Sequence, residues 1–123
     1  MLKIPTVAIV DDDGGVRTSL TSLVRSLGYQ VRAYTSAREF LDDKQSPEPD
    51  CMIADIQMPH MTGDRLQAVL SSSGRSFPII FMTAFPSEAV RDRVMAAGAR
   101  DYLEKPPDSD VIARRLADLL GPR

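Results

Sequence analysis

The stretch Ile4-Pro5-Thr6-Val7-Ala8-Ile9-Val10 runs straight into Asp11-Asp12-Asp13, and a second one, Asp50-Cys51-Met52-Ile53-Ala54, ends on Asp55. If the two are neighbouring parallel strands, their carboxylates meet at one edge of the sheet. Such a meeting is costly, because at an effective dielectric of about 20 two like charges ~5 Å apart repel by roughly 3 kcal/mol. Three carboxylates make three such pairs. A hard divalent cation such as Mg²⁺, which prefers oxygen ligands, resolves the conflict and offers a landing place for a phosphoryl group.

Outward from these two stretches, short β-rich runs alternate with amphipathic segments through the whole chain, as in a parallel sheet with helices on its faces. Five βα units are expected. The first strand, Ile4 to Val10, leads into a helix from Gly14 to Leu27, where Val16, Leu20, Leu23, Val24 and Leu27 keep helical spacing. Asp13 is placed to cap it and Gly28 to end it. Tyr29 to Tyr34 alternates Tyr29, Val31 and Ala33 against Gln30 and Arg32, which suits an edge strand, and Ser36 to Glu39 has capping-box spacing. Pro59 and Gly63 bound a loop before a helix carrying Leu66, Val69 and Leu70, and Phe77 to Met82 is apolar enough for a central strand. A helix from Ser87 to Ala97, a short strand from Arg100 to Leu103 and a last helix from Asp108 to Leu120 complete the pattern.

The bulk properties agree with one soluble globular domain: 123 residues, 43% hydrophobic, 26% charged, with a formal charge of −2. Acidic and basic residues are interspersed, so no extended basic surface is offered and no direct nucleic-acid contact is expected. No apolar run approaches the length of a membrane span, and Met1 to Pro5 lacks the features of a signal peptide, so a cytoplasmic location with no membrane partner is expected. The single Cys51 reads as a small buried hydrophobe in a reducing compartment. Met52, Met58, Met61, Met82 and Met95 read as packing residues, and His60, the only histidine, as a solvent-facing loop residue rather than a ligand.

In open parallel sheets ligands bind beyond the carboxyl ends of the strands. There the chain places Asp11 and Asp12 after the first strand, Asp55 at the end of the third, Thr83 after the fourth and Lys105 after the fifth. Phosphoryl transfer requires such a set: a carboxylate nucleophile, carboxylates for Mg²⁺, and an ammonium and a hydroxyl for the phosphoryl oxygens. Alone, the aspartate run could be a turn with a helix cap, and Asp13 is read that way. Joined to Thr83 and Lys105, Asp55 reads as a reacting group.

Val10-Asp11-Asp12-Asp13, Asp55-Ile56-Gln57-Met58-Pro59 with Gly63, Met82-Thr83-Ala84 and Tyr102-Leu103-Glu104-Lys105-Pro106 resemble, in this order, the motifs of the receiver domain of bacterial two-component response regulators. The resemblance covers essentially the whole chain. It implies a single doubly wound α/β domain over residues 1–123, with no output domain, built as a flavodoxin-like five-stranded parallel sheet of order 2-1-3-4-5 with five helices. It implies that Asp55 is the phosphoacceptor for a histidine kinase or phosphotransfer protein. Asp11, Asp12, Asp55 and the backbone carbonyl of Gln57 would hold Mg²⁺, with Mn²⁺ as a substitute. Lys105 would pair with Asp55 and then with the phosphoryl group. Thr83 and Tyr102 would form the switch, with Ala84 small enough to leave Tyr102 room and Pro106 as the family's cis proline. The output surface would be the fourth helix, fifth strand and fifth helix, facing a downstream protein target, an output domain outside this chain or, on phosphorylation, a second copy.

The chain departs from the family pattern at Pro107, which replaces a large apolar side chain at the start of the last helix and bears on the output face. Phe85, two residues beyond Thr83, and Gln57, two beyond Asp55, flank the mouth of the pocket, and Phe85 is expected to restrict attacking water and lengthen the life of the aspartyl phosphate. Two other functions compete. An Mg²⁺-dependent phosphatase or phosphotransferase with an aspartyl-phosphate intermediate would share the nucleophile, metal and lysine, but usually needs a carboxylate where Gln57 stands. A flavin-binding module of similar fold would have its phosphate repelled by Asp11, Asp12 and Asp55.

Overall fold

The computed structural model describes residues 3–122; Met1, Leu2 and Arg123 lie outside the described residues. Five strands, β1 (Thr6–Val10), β2 (Gln30–Tyr34), β3 (Cys51–Asp55), β4 (Ile79–Thr83) and β5 (Asp101–Glu104), alternate with five helices. The helices are α1 (Gly14–Ser26), α2 (Ala37–Asp42), α3 (Gly63–Ser72), α4 (Glu88–Ala96) and α5 (Ser109–Leu120). All strand pairs are parallel, as the βα alternation predicts, in the order β2-β1-β3-β4-β5 that the resemblance implies.

The sheet separates two cores, as the period of two in each strand demands. Ala8, Val10, Met52, Ala54 and Phe81 face α2, α3 and α4, packing with Phe40, Leu66, Leu70 and Val94. Val7, Ile9, Cys51, Ile53, Ile80 and Met82 face α1 and α5, packing with Leu20, Val24, Ile112 and Leu116. Every residue of β3 and β4 is buried, so their side chains are apolar on both faces until the last position, where Asp55 and Thr83 stand. Burial pushes the Cys51 thiol up to about 12, which makes it inert packing. Met52, Met58 and Met82 are buried, while Met61 and Met95 pack against the core.

Helix starts follow the sequence closely. Asp13 Oδ1 accepts the N–H of Gly15 at 2.9 Å and of Val16 at 3.1 Å, so the third aspartate is the cap of α1. Gly28 follows this helix with a φ of 97°, where a side chain would be strained. Ser36 caps α2 through Glu39 N–H, but the Glu39 carboxylate turns to the N–H and hydroxyl of Thr35 instead of closing the box on Ser36.

Some expected boundaries move. β1 begins at Thr6 rather than Ile4, because Pro5 has no N–H for a ladder. β4 runs from Ile79 to Thr83 and β5 from Asp101 to Glu104, so Thr83 ends its strand instead of following it. In β2, Ala33 is exposed rather than turned into the core, while Val31 packs against the α1 side. Among the described residues no helix is long and apolar enough to cross a membrane.

Candidate functional site

Four strand ends build the site, and backbone bonds fix their relative height. Asp11 N–H donates to Tyr34 O at 3.1 Å, Ile56 N–H to Met82 O at 2.9 Å, and Lys105 N–H to Thr83 O at 2.8 Å. These continue the ladder one step past each strand, so Asp11, Asp55, Thr83 and Lys105 share one edge. The expected residues are thus brought together.

Asp11 is fully buried and Asp55 is 3% exposed, whereas Asp12 is exposed. Lys105 Nζ lies 2.9 Å from Asp11 Oδ2 and 3.2 Å from Asp55 Oδ2. The lysine therefore bridges two carboxylates, with Asp11 the nearer; sequence reading paired it with Asp55 alone. Burial opposes the Lys105 charge, but the two acids outweigh it and hold the ammonium above its ordinary value. Burial, then the charge of Asp11, pushes the Asp55 carboxyl up to about 6 against the pull of Lys105.

A carboxylate oxygen from each of Asp11, Asp12 and Asp55 can be chosen so that all lie within 4.8 Å of one another. Asp11 Oδ1 accepts the N–H of Asp13 at 2.8 Å, while Asp11 Oδ2 has its ion pair but no donor aligned for a directed hydrogen bond. A buried, hard oxygen left in that condition suits a small divalent cation. The donor set fits Mg²⁺ and contains no soft ligand. His60 is exposed, in a left-handed loop conformation, and takes no part.

Thr83 is fully buried, and its hydroxyl has two partners: it accepts Phe85 N–H at 2.9 Å and donates to Gln57 Oε1 at 2.7 Å. Gln57 N–H in turn donates to Asp55 Oδ1 at 3.3 Å. Gln57 is expected at the mouth of the pocket, but its bond to Thr83 is not, because spacing in a sequence cannot show where an exposed amide turns. Arg17 was also missed: from α1 its Nη1 donates to the backbone carbonyl of Asp11 at 2.8 Å and steadies the acid loop. An arginine one helical turn past the cap was the only available signal.

Tyr102 is half-buried, and its hydroxyl accepts Ser87 N–H at 3.0 Å. Ala84 is exposed in the loop between β4 and α4, and Phe85 in the same loop is 72% exposed. The Lys105–Pro106 peptide is cis. Gly63 N–H donates to Ile56 O at 2.9 Å, and a Cβ at Gly63 would fall 2.3 Å from the Asp55 carbonyl oxygen, so the start of α3 can sit behind the acid only as glycine. Beside Lys105 opens a mostly apolar cleft of about 420 Å³ lined by Val16, Leu20, Leu23, Pro106 and Pro107.

Comparison with known proteins agrees with this geometry. The family described as response regulator receiver domain matches residues 7–117. The response regulator protein TmoT of Ectopseudomonas mendocina is 39% identical over 94% of this chain and 49% of its own length. The transcriptional regulatory protein TdiR of Thauera aromatica is 40% identical over 82% of this chain and 44% of its own. The chain thus spans about half the length of these curated relatives. Among solved structures, a response regulator receiver protein from Burkholderia phymatum is 41% identical with a TM-score of 0.82, covering 97% of both chains. The response regulator StyR is 35% identical with a TM-score of 0.87, covering 96% of this chain and 60% of its own. With the strand order and the acid pocket already in place, these matches show that the chain belongs to the response regulator receiver domain family.

Proposed function

We propose that this receiver domain takes a phosphoryl group from the phosphohistidine of a histidine kinase or phosphotransfer protein onto Asp55 and changes its surface in response. The observation that carries the reading is the joining of Asp11, Asp12, Asp55, Thr83 and Lys105 at one sheet edge. An Asp55 carboxylate oxygen attacks phosphorus, the P–N bond to the donor imidazole breaks, and the imidazole leaves with the electron pair and takes up a proton. Lys105 follows the growing charge on the phosphoryl oxygens, and the Thr83 hydroxyl turns to donate to one of them. Asp11, Asp12, Asp55 and the Gln57 carbonyl would hold Mg²⁺, which would neutralise charge on the incoming oxygens.

The apolar cleft beside Lys105 offers a docking surface next to the acceptor for the donor protein. Tyr102 is assigned to follow Thr83 inward, carrying the change to α4, β5 and α5, and Phe85 to shield the adduct from water. The names of the relatives, one a transcriptional regulator, support an output domain or downstream protein target in the full protein. The domain turns over no separate substrate in this reading. A phosphatase function is disfavoured by Gln57, whose side chain is neutral and engaged with Thr83.

The test is incubation with acetyl phosphate and Mg²⁺ followed by intact-mass measurement. A hydroxylamine-sensitive gain of one phosphoryl group, absent in Asp55→Asn, is expected. Rapid turnover of a phosphoester with no lasting adduct would instead identify an enzyme.

A further inference from the structure

A hydroxyl has one proton to give, and the proton of Thr83 is already committed. It goes to Gln57 Oε1 at 2.7 Å, while the other side of the oxygen accepts Phe85 N–H at 2.9 Å. Thr83 is fully buried while the amide is in place, and Gln57 Oε1 is the acceptor that its hydroxyl uses. A buried donor without an acceptor is costly, and the hydroxyl therefore leaves Gln57 only when another oxygen is offered. Gln57 is placed differently. Its residue is exposed, and its amide is rehydrated as soon as it is released.

The same residue is tied to the reacting group, since Gln57 N–H donates to Asp55 Oδ1. Residue 57 thus touches the acceptor carboxylate through its backbone and the responding hydroxyl through its side chain. A group bound on Asp55 has to compete with the amide for the Thr83 proton, and the outcome of that competition fixes how strongly the bound state is held.

We propose that the Gln57 side chain is a latch on the Thr83 hydroxyl, a positioning residue that holds the site in its unmodified arrangement and weakens retention of a phosphoryl group on Asp55. The inference rests on the phosphoacceptor reading of Asp55. The latch acts on Thr83 alone, so its effect disappears when the hydroxyl is removed. A residue that merely shaped the pocket would show no such dependence.

The test is a double-mutant cycle read by beryllofluoride binding, a stand-in for the phosphoryl group, at saturating Mg²⁺, with occupancy followed by NMR of the backbone amides. Gln57→Met keeps the length and the backbone carbonyl but removes the acceptor, and it is expected to bind beryllofluoride about fivefold more tightly, the scale of one net hydrogen bond. In a Thr83→Ala background the same change is expected to do nothing, and in Thr83→Ser, which keeps a hydroxyl, the gain is expected to return. Unchanged affinity in Gln57→Met, or a gain that persists in Thr83→Ala, overturns the latch while wild-type binding leaves the phosphoacceptor reading standing. Absence of beryllofluoride binding in the wild type, with Mg²⁺ bound, overturns both. Gln57 is exposed, so Gln57→Met keeps the fold, and the amide spectrum verifies the fold of the Thr83 variants, whose site is buried.

Discussion

The carboxyl of Asp55 decides how the isolated domain responds to pH. It titrates at about 6 in the fold against an ordinary 3.8, because it is buried next to Asp11. Between those values the folded state holds a proton that the unfolded state has lost. Stability from this group therefore falls as pH rises through the window. In metal-free buffer, wild type is expected to lose roughly 1 kcal/mol relative to Asp55→Asn between pH 5 and pH 7, measured by urea unfolding. The Asp43 carboxyl, held down to about 2 by the hydroxyl of Tyr34, titrates below that window and leaves the difference clean. Parallel pH slopes in the two proteins would refute the assignment. The aspartate run permits a second test at this scale. Asp13→Ala removes two capping bonds and is expected to cost about 1 kcal/mol in a melt without changing Mg²⁺ affinity, whereas Asp12→Ala is expected to weaken Mg²⁺ binding without that cost. Equal effects on Mg²⁺ titration would mean that the third aspartate is no mere cap.

At the scale of elements, α3 is held by a glycine. Its first residue, Gly63, lies so close behind Asp55 that an added Cβ would meet the Asp55 carbonyl at 2.3 Å. Gly63→Ala must push the helix start away or shift the end of β3, and is expected to cost about 2 kcal/mol and slow phosphorylation from acetyl phosphate. A stable, fully active variant would show that the α3 start can withdraw freely. The sequence revealed the helices and strands because their local signals agree with their packing: an aspartate cap and a glycine stop for α1, unbroken apolar runs for β3 and β4. It was less informative where tertiary contacts choose between local options. Glu39 could close a capping box or turn to Thr35, and Ala33 could face inward or outward on an edge strand; nothing nearby in the chain decides either. The acid pocket was legible for a related reason, since strand ends in a parallel sheet must share an edge. The side-chain contacts across that edge, Lys105 to Asp11 and Gln57 to Thr83, depend on the placement of long flexible side chains and were not.

Over the whole molecule the sheet keeps two cores apart, with α1 and α5 on one side and α2, α3 and α4 on the other, and at the site groups from four strand ends meet at one edge of the sheet between them. In the proposed switch, the route from Thr83 to the surface is on the α4 side. Tyr102 on β5 packs against that core, and its hydroxyl accepts the N–H of Ser87, the residue that caps α4 through Val90. If Tyr102 moves inward with Thr83, the Ser87 N–H loses its acceptor and the start of α4 is loosened, which converts a change in one hydrogen bond into a change of a helix end. Amide hydrogen exchange at Ser87 measures this. Tyr102→Phe is expected to speed exchange there about fivefold before any adduct is made, with the rest of the sheet protected as before. Beryllofluoride is expected to speed it in wild type and to add little in the variant, because the acceptor is already gone. Equal protection of Ser87 in the two unmodified proteins would cut the path from Asp55 to α4 at Tyr102 and send the search for the output signal to β5 and α5 instead.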